Sequence, residues 1–107
     1  MSVSTSATKP RRYDSIIFEF SGVESTDTLH GALLIRQNEM VIDIRDPTGN
    51  GPYLIIGKKR KTFYAGHNTE RGSHVSVDAK WADIDGRYVG FWVEDEDDFY
   101  FSFRLPR

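Results

Sequence analysis

Residues 87–104 read RYVGFWVEDEDDFYFSFR, two alternating aromatic and aliphatic runs on either side of an acidic stretch. Side chains that alternate in this way along a β-strand point to opposite faces of a sheet. A turn over the acidic residues joins the two runs into an antiparallel hairpin. A three-residue loop at Asp95–Asp97 collects six apolar side chains on one face of that hairpin. The pairs in this register are Val93 with Phe99, Phe91 with Phe101, and Val89 with Phe103.

The same register puts Tyr88, Trp92 and Tyr100 together on the opposite face. Flat rings that carry a polar atom suit sugars, nucleobases or a protein partner. We therefore predict a ligand-binding surface made of these three residues, with Tyr64 added from a neighbouring strand. The alternative is that both faces of the hairpin are buried, one of them inside a barrel and the other under the N-terminal segment.

Alternation of the same kind recurs along the chain, and turn residues separate the runs at about ten-residue spacing. The predicted strands are 13–21, 28–36, 39–46, 53–58, 62–66, 74–82, 87–94 and 98–105. Connections this short leave no room for crossover helices, so the strands form an antiparallel meander. We predict an all-β fold of seven or eight strands, either an up-and-down β-barrel of lipocalin or avidin type or a barrel-like sandwich.

The predicted core combines the hairpin's six apolar residues with apolar positions of other strands. These positions are Ile16, Phe18, Phe20, Val75 and Val77. The segment from Trp81 through Gly86-Arg87-Tyr88-Val89-Gly90 is similar to a strand-turn-strand fragment of avidin-like barrels. That resemblance covers about ten residues and implies barrel architecture, not biotin binding.

The chain of 107 residues has the length of a single domain. Residues 1–12 are rich in serine and threonine and end in basic residues, so we predict a disordered tail followed by one domain at 13–107. The sequence contains no cysteine, which excludes disulfides and thiolate zinc sites and favours the cytoplasm. Its apolar runs are far shorter than the ~20 residues that span a bilayer, so we expect no membrane partner. Its net charge of -2 lacks the basic excess of a dedicated nucleic-acid binder.

Residues 57–66 read GKKRKTFYAG and hold four consecutive cations. A continuous strand would bury two of them, which is costly, so we predict a hairpin with a loop of four or five residues. The alternative function is nucleic-acid binding by Lys58, Lys59, Arg60 and Lys61, with Tyr64 facing outward to stack on a base. Because hairpin loops alternate between the ends of a meander barrel, this basic tip and the acidic 95–97 tip should lie at opposite ends.

No signature of catalysis appears in the sequence. There is no nucleophile elbow, phosphate loop or dinucleotide fingerprint, and the three histidines lack metal-ligand spacing. Asp85-Gly86 is predicted to be a hairpin turn and not part of a calcium loop. We predict a non-enzymatic binding or interaction module with no cofactor, metal or catalytic residue. Its expected partner is a small molecule or a protein, and the charge pattern is compatible with self-association. The rival hypothesis is an enzyme that uses His67 and His74 at one end of the barrel.

Overall fold

The computed structural model describes residues 9–46, 48, 51–73 and 75–106. Within them it contains eight β-strands and no helix, which confirms the all-β prediction. The strands are β1 (Arg11–Ser21), β2 (Thr26–Arg36), β3 (Glu39–Arg45), β4 (Tyr53–Lys59), β5 (Tyr64–Glu70), β6 (Ser76–Ile84), β7 (Arg87–Glu94) and β8 (Asp97–Arg104). In this part of the chain there is accordingly no helix of the length and apolarity that a membrane crossing requires.

Each strand pairs antiparallel with the next, and β8 returns to pair with β1. Phe18 lies opposite Phe103 and Phe20 opposite Phe101 across this closing seam. The molecule is therefore a closed up-and-down barrel, and the sandwich alternative is wrong. Closure leaves no free edge strand along most of the sheet.

The lumen is filled by side chains from alternate positions of all eight strands. Trp81 lies in the middle, where its ring stacks on Tyr64 with centroids 5.6 Å apart. The Trp81 indole Nε1 donates a hydrogen bond to the Met40 sulfur at 3.2 Å, so the polar atom of the ring has a partner inside the core. The other fully buried large side chains are Ile16, Phe18, Leu33, Ile42, Ile44, Ile55, Phe101 and Phe103.

The β7–β8 hairpin has a register one residue away from the predicted one. Its loop is the two-residue turn Asp95-Glu96, and both residues have positive φ, at 53° and 69°. The pairs are Tyr88 with Phe103, Gly90 with Phe101, Trp92 with Phe99, and Glu94 with Asp97.

Because side chains alternate with a period of two, this slip exchanges the faces of β7. Val89, Phe91 and Val93, which were predicted in the core, lie outside and are 37%, 44% and 48% exposed. Trp92 turns inward and is only 2% exposed. The prediction failed because β7 is apolar on both faces, so its alternation does not distinguish inside from outside.

The remaining differences concern strand boundaries. The strand β5 runs over Tyr64–Glu70 and not over 62–66, and Val75 lies before β6 at 64% exposure and not in the core. The strand β1 begins at Arg11, inside the segment predicted as tail. Residues 1–8 of that predicted tail lie outside the described residues. Ile16, Phe18, Phe20, Phe101 and Phe103 are buried as predicted.

The two ends of the barrel carry opposite charge, as the predicted loop alternation requires. The basic end contains the turns at 37–38, 60–63 and 85–86 together with the start of β1 and the end of β8. The acidic end contains the connections at 22–25, 46–52, 71–75 and 95–96. The pairing of β6 with β7 stops at Ala79 opposite Trp92, so among the described residues the start of β6 and the end of β7 are not paired with each other at the acidic end.

Candidate functional site

The four predicted ligand-binding residues do not share a surface. Tyr64 and Trp92 are buried in the lumen, and Tyr88 points inward and is half-buried. Tyr64 contacts Tyr88 near the basic end, with ring centroids 6.4 Å apart, whereas Trp92 stacks on Phe99 toward the acidic end. Tyr100 alone faces solvent, at 48% exposure. The predicted surface is therefore wrong as a contiguous site.

The inward tyrosines belong to the packed core. Burial raises the pKa of Tyr64, and the nearby Arg11 guanidinium partly opposes that rise. Burial also raises the pKa of Tyr88, with further contributions from Tyr64 and Asp83. Both phenols consequently stay protonated at neutral pH and act as aromatic packing groups.

An apolar patch covers the outside of β7 and β8, and we call it the apolar outer face. It consists of Val89, Phe91, Val93 and Tyr100. Phe91 and Tyr100 are directly opposite each other across the two strands. A groove of about 260 Å³ extends the patch toward Phe63. Exposed apolar residues that are contiguous in this way mark interaction surfaces more often than scattered ones do.

A cation borders that groove. The Lys80 ammonium lies over the Phe63 ring at 5.8 Å from its centroid, a distance typical of a cation–π contact. Lys80 is directly opposite Phe91 in the β6–β7 ladder. The alkyl stem of Lys80 therefore joins the apolar surface while its charge remains in solvent.

A second cavity, of about 320 Å³, lies at the acidic end between β5, β6 and β7. Asn68 and Glu94 line it together with Glu70 and Asp95. Asn68 is 2% exposed, and its side-chain oxygen has no hydrogen-bond partner among the described residues. The Trp92 indole Nε1 donates to Glu94 Oε1 at 3.3 Å, which holds that carboxylate beside the cavity.

Several carboxylates near this cavity lie close enough to Tyr53 to affect its pKa. Burial raises the pKa of the Tyr53 phenol, and the carboxylates of Glu70, Glu94 and Asp27 raise it further. The Tyr53 ring also contacts Trp92, with centroids 5.4 Å apart. This end of the lumen thus combines aromatic walls with negative charge.

The basic hairpin forms as predicted. Lys58 and Lys59 end β4, the loop covers 60–63, and the Arg60 amide donates to the Phe63 carbonyl at 2.7 Å. The predicted outward Tyr64 is wrong, because Tyr64 enters the lumen and Phe63 turns outward instead. Lys80 lies over one face of the Phe63 ring, so a base that stacked on that face would displace it.

The structure does not place His67 at a barrel end, where the enzyme hypothesis needs it. His67 lies within β5 and not in a loop, and its Nδ1 atom is 3.2 Å from Asp78 Oδ1. Both side chains are largely exposed on the outer wall of the barrel. His74 lies outside the described residues. Among the described residues no group of three or more histidine and acidic side chains could hold a metal ion.

Sequence reasoning missed the surfaces that the structure presents. It placed Phe91 and its neighbours in the core, and it did not single out Asn68. Gly90 carries the signal that could have corrected the first error, because a glycine among aromatic residues indicates a position where another side chain needs room. Asn68 has no such signal, since its burial depends on which way β5 faces.

Neither a family model nor a curated protein sequence matches this chain. Among solved structures, the barrel is similar to part of the vaccine antigen transferrin binding protein B from Haemophilus parasuis Hp5, crystallised as a double mutant. The TM-score is 0.62 at 10% sequence identity, and the match covers 94% of this chain and 27% of that one. This chain thus corresponds to about a quarter of the length of that protein, and the likeness is one of fold.

Proposed function

We propose that this chain is a non-enzymatic interaction module that binds a protein surface through its apolar outer face. The observation that carries this proposal is the exposure of Phe91 and Tyr100, which pair with each other on the outside of the barrel. Aromatic side chains dominate the energetics of protein interfaces. The lumen is packed with side chains, so a small molecule would find little room in the middle of the barrel.

The structural comparison supports a binding role without identifying a ligand. The similar solved protein is named for binding transferrin. At 10% identity the similarity supports only the use of such a barrel as a scaffold for binding. The chemistry of the apolar outer face therefore has to define the partner.

A second copy of this chain is a suitable partner, because the apolar outer face lies between side chains of opposite charge. Arg87 flanks the apolar outer face toward the basic end, and Lys80 lies beside Phe91 at its middle. Asp78 and Asp98 flank the face toward the acidic end. A copy related by a two-fold axis that lies in the plane of the contact, perpendicular to the strands at Phe91, places the basic end of each face against the acidic end of the other. Such a two-fold contact is self-complementary, which is the commonest arrangement of homodimers.

Analytical ultracentrifugation of the wild type and of Phe91→Ser tests this proposal. We expect the wild type to dimerise and Phe91→Ser to weaken the dimer by roughly tenfold or more, since loss of an interface aromatic costs at least about 2 kcal/mol. Ile56→Ser is the matched control, because Ile56 is also an exposed strand residue but lies on β4. A wild type that stays monomeric at millimolar concentration, or equal losses in both variants, would contradict the proposal.

Nucleic-acid binding at the basic end is the second candidate. The specific observation is that the barrel brings the start of β1 to the same end as the hairpin cations, since Arg11 lies opposite Ile35 next to the turn at 37–38. The basic side chains there include Arg11, Arg36, Lys58, Lys59, Arg60, Lys61, Arg87 and Arg104. Phosphate contacts need such a cluster, but Tyr64 of the hairpin is buried, and the ring of the outward Phe63 carries Lys80 on one face.

A further inference from the structure

We propose that the cavity at the acidic end binds an organic ammonium group, held by Asn68, Glu70 and Glu94. We call this cavity the acidic mouth; it also includes Asp95 and has Val75, Val77 and Val93 among its walls. This inference concerns a different surface from the apolar outer face and does not depend on the proposed function.

Asn68 is a buried polar residue of the acidic mouth. Its backbone is within the sheet, opposite Ile55 on one side and Val77 on the other, so its side chain is held at a fixed position in the lumen. Its Oδ1 atom is buried and accepts no hydrogen bond from the described residues. Buried polar atoms in native proteins are nearly always satisfied, because an unmade hydrogen bond is costly. Since Asn68 lines the acidic mouth, a donor entering from that cavity would satisfy it.

The surrounding charge selects a cationic donor. Glu70, Glu94 and Asp95 line the same cavity. The arginines that lie near this end, Arg45 and Arg71, both pair with Asp43 on the outer wall. Among the described residues, no ion pair joins a cationic side chain to the carboxylates of the acidic mouth. A ligand that carries positive charge would supply it, and charge-assisted hydrogen bonds are the strong ones.

The shape of the cavity favours an ammonium group on an alkyl chain. Three valine side chains supply apolar wall, and the volume of about 320 Å³ is suited to a small organic group. An ammonium group has three N–H donors, which match the Asn68 carbonyl and two carboxylates. A metal ion fits less well, since no cluster of three metal-ligating side chains occurs among the described residues.

The ammonium group belongs either to a free alkylamine or to a lysine side chain of a peptide. Nuclear magnetic resonance titration with pentylamine and with N-acetyl-lysine amide separates the two sources. The reporters are the Trp92 indole N–H, which donates to Glu94, and the Asn68 side-chain amide. We expect saturable shifts of both resonances with at least one amine. A response to pentylamine alone assigns a free amine, and a response to both probes assigns a site that also accepts lysine.

Two variants test the assigned contacts. Asn68→Leu and Glu94→Gln should each weaken amine binding by roughly tenfold or more. The first removes the buried acceptor, and the second removes the negative charge that pairs with the ammonium group. Glu96→Gln is the matched control; Glu96 is on the same turn but does not line the cavity, and the affinity of this variant should change by less than about twofold. Asn68→Leu should keep or raise the melting temperature, because it removes an unsatisfied buried polar group.

Several results would overturn this inference. They are the absence of shifts with either amine, equal shifts with the neutral analogue pentanol, displacement of the amine by stoichiometric calcium, and equal loss of affinity in Glu96→Gln. Full retention of affinity in Asn68→Leu would show that water, and not the amine, donates the hydrogen bond to Asn68 Oδ1. If Asn68→Leu does not fold, Glu94→Gln decides, since that carboxylate is at the cavity rim.

Discussion

Gly90 shows how one residue selects the faces of a strand. A Cβ atom at this position would lie 2.7 Å from Trp81 Cβ and would also collide with the Phe101 ring. Because Gly90 has no side chain, the two aromatic residues can meet in the lumen, with ring centroids 6.1 Å apart. The inward position of Gly90 also requires Tyr88 and Trp92 to point inward, since they are two residues away on either side.

Gly90→Ala should therefore destabilise the barrel. Overpacking a core by one methyl group costs about 1–3 kcal/mol, and we expect a loss of that size in the free energy of unfolding measured by urea titration. Val89→Ala, on the outer wall of the same strand, is the control. Apart from the lower β-propensity of alanine, it should change the free energy of unfolding by less than about 0.5 kcal/mol. Equal losses in both variants would mean that Gly90 does not face Phe101 and Trp81.

The hairpin formed by β7 and β8 shows how a turn determines the faces of an element. Two-residue hairpin turns require positive φ, for which Asn-Gly and Asp-Gly are the usual sequences. Asp95 and Glu96 adopt positive φ without a glycine, whereas the β6–β7 turn uses Asp85 and Gly86 in the ordinary way. The acidic turn therefore holds a conformation that its own residues do not favour, and the apolar pairs of the strands maintain it.

A double variant that combines Asp95→Asn with Glu96→Gly gives this turn the favoured Asn-Gly sequence and should stabilise the barrel. The left-handed conformation costs a non-glycine residue about 1–2 kcal/mol, and added chain entropy offsets part of the gain, so we expect about 1 kcal/mol. Thermal unfolding followed by circular dichroism measures it. The control variant Asp95→Asn with Glu96→Ala removes the same two charges but keeps the backbone cost at position 96. If this control stabilises as much as the variant with Glu96→Gly, charge repulsion and not φ explains the effect.

The whole molecule is an electrical dipole although its net charge is only -2. The separation arises because an up-and-down meander places alternate loops at opposite ends. The cationic hairpin and the acidic turn belong to loops of opposite parity, so they are held a full strand length apart. A molecule of this kind attracts anions at one end and repels them at the other.

Binding of single-stranded RNA at low salt tests the basic end. If binding occurs, the logarithm of the association constant should fall linearly with the logarithm of the salt concentration, by about 0.7 per phosphate contact. Replacing Lys58, Lys59, Arg60 and Lys61 by serine should abolish binding in a fluorescence anisotropy titration, while Lys80→Ser on the outer wall should have little effect. Unchanged binding in the fourfold variant, or none by the wild type at low salt, would rule out the nucleic-acid candidate.

The sequence by itself determined that the chain forms short antiparallel strands in a meander, with the basic and acidic tips at opposite ends. Short turns leave no room for crossover helices, so consecutive strands are neighbours, and both a closed barrel and a two-sheet sandwich satisfy this order. The cations at 58–61 also had to form a hairpin tip, since burying them is too costly. These conclusions depend on local patterns and on the cost of burying charge, both of which can be read along the chain.

Only the tertiary structure decided which side of β7 faces the lumen and what lies at the acidic mouth. Apolar residues occupy both faces of β7, so the outcome depends on the space that Trp81 and Phe101 leave beside Gly90. Asn68 is buried because β5 turns Tyr64 and Gly66 inward with it. Packing inside a closed barrel depends on all eight strands at once, so the apolar outer face and the acidic mouth follow from closure and not from any single segment.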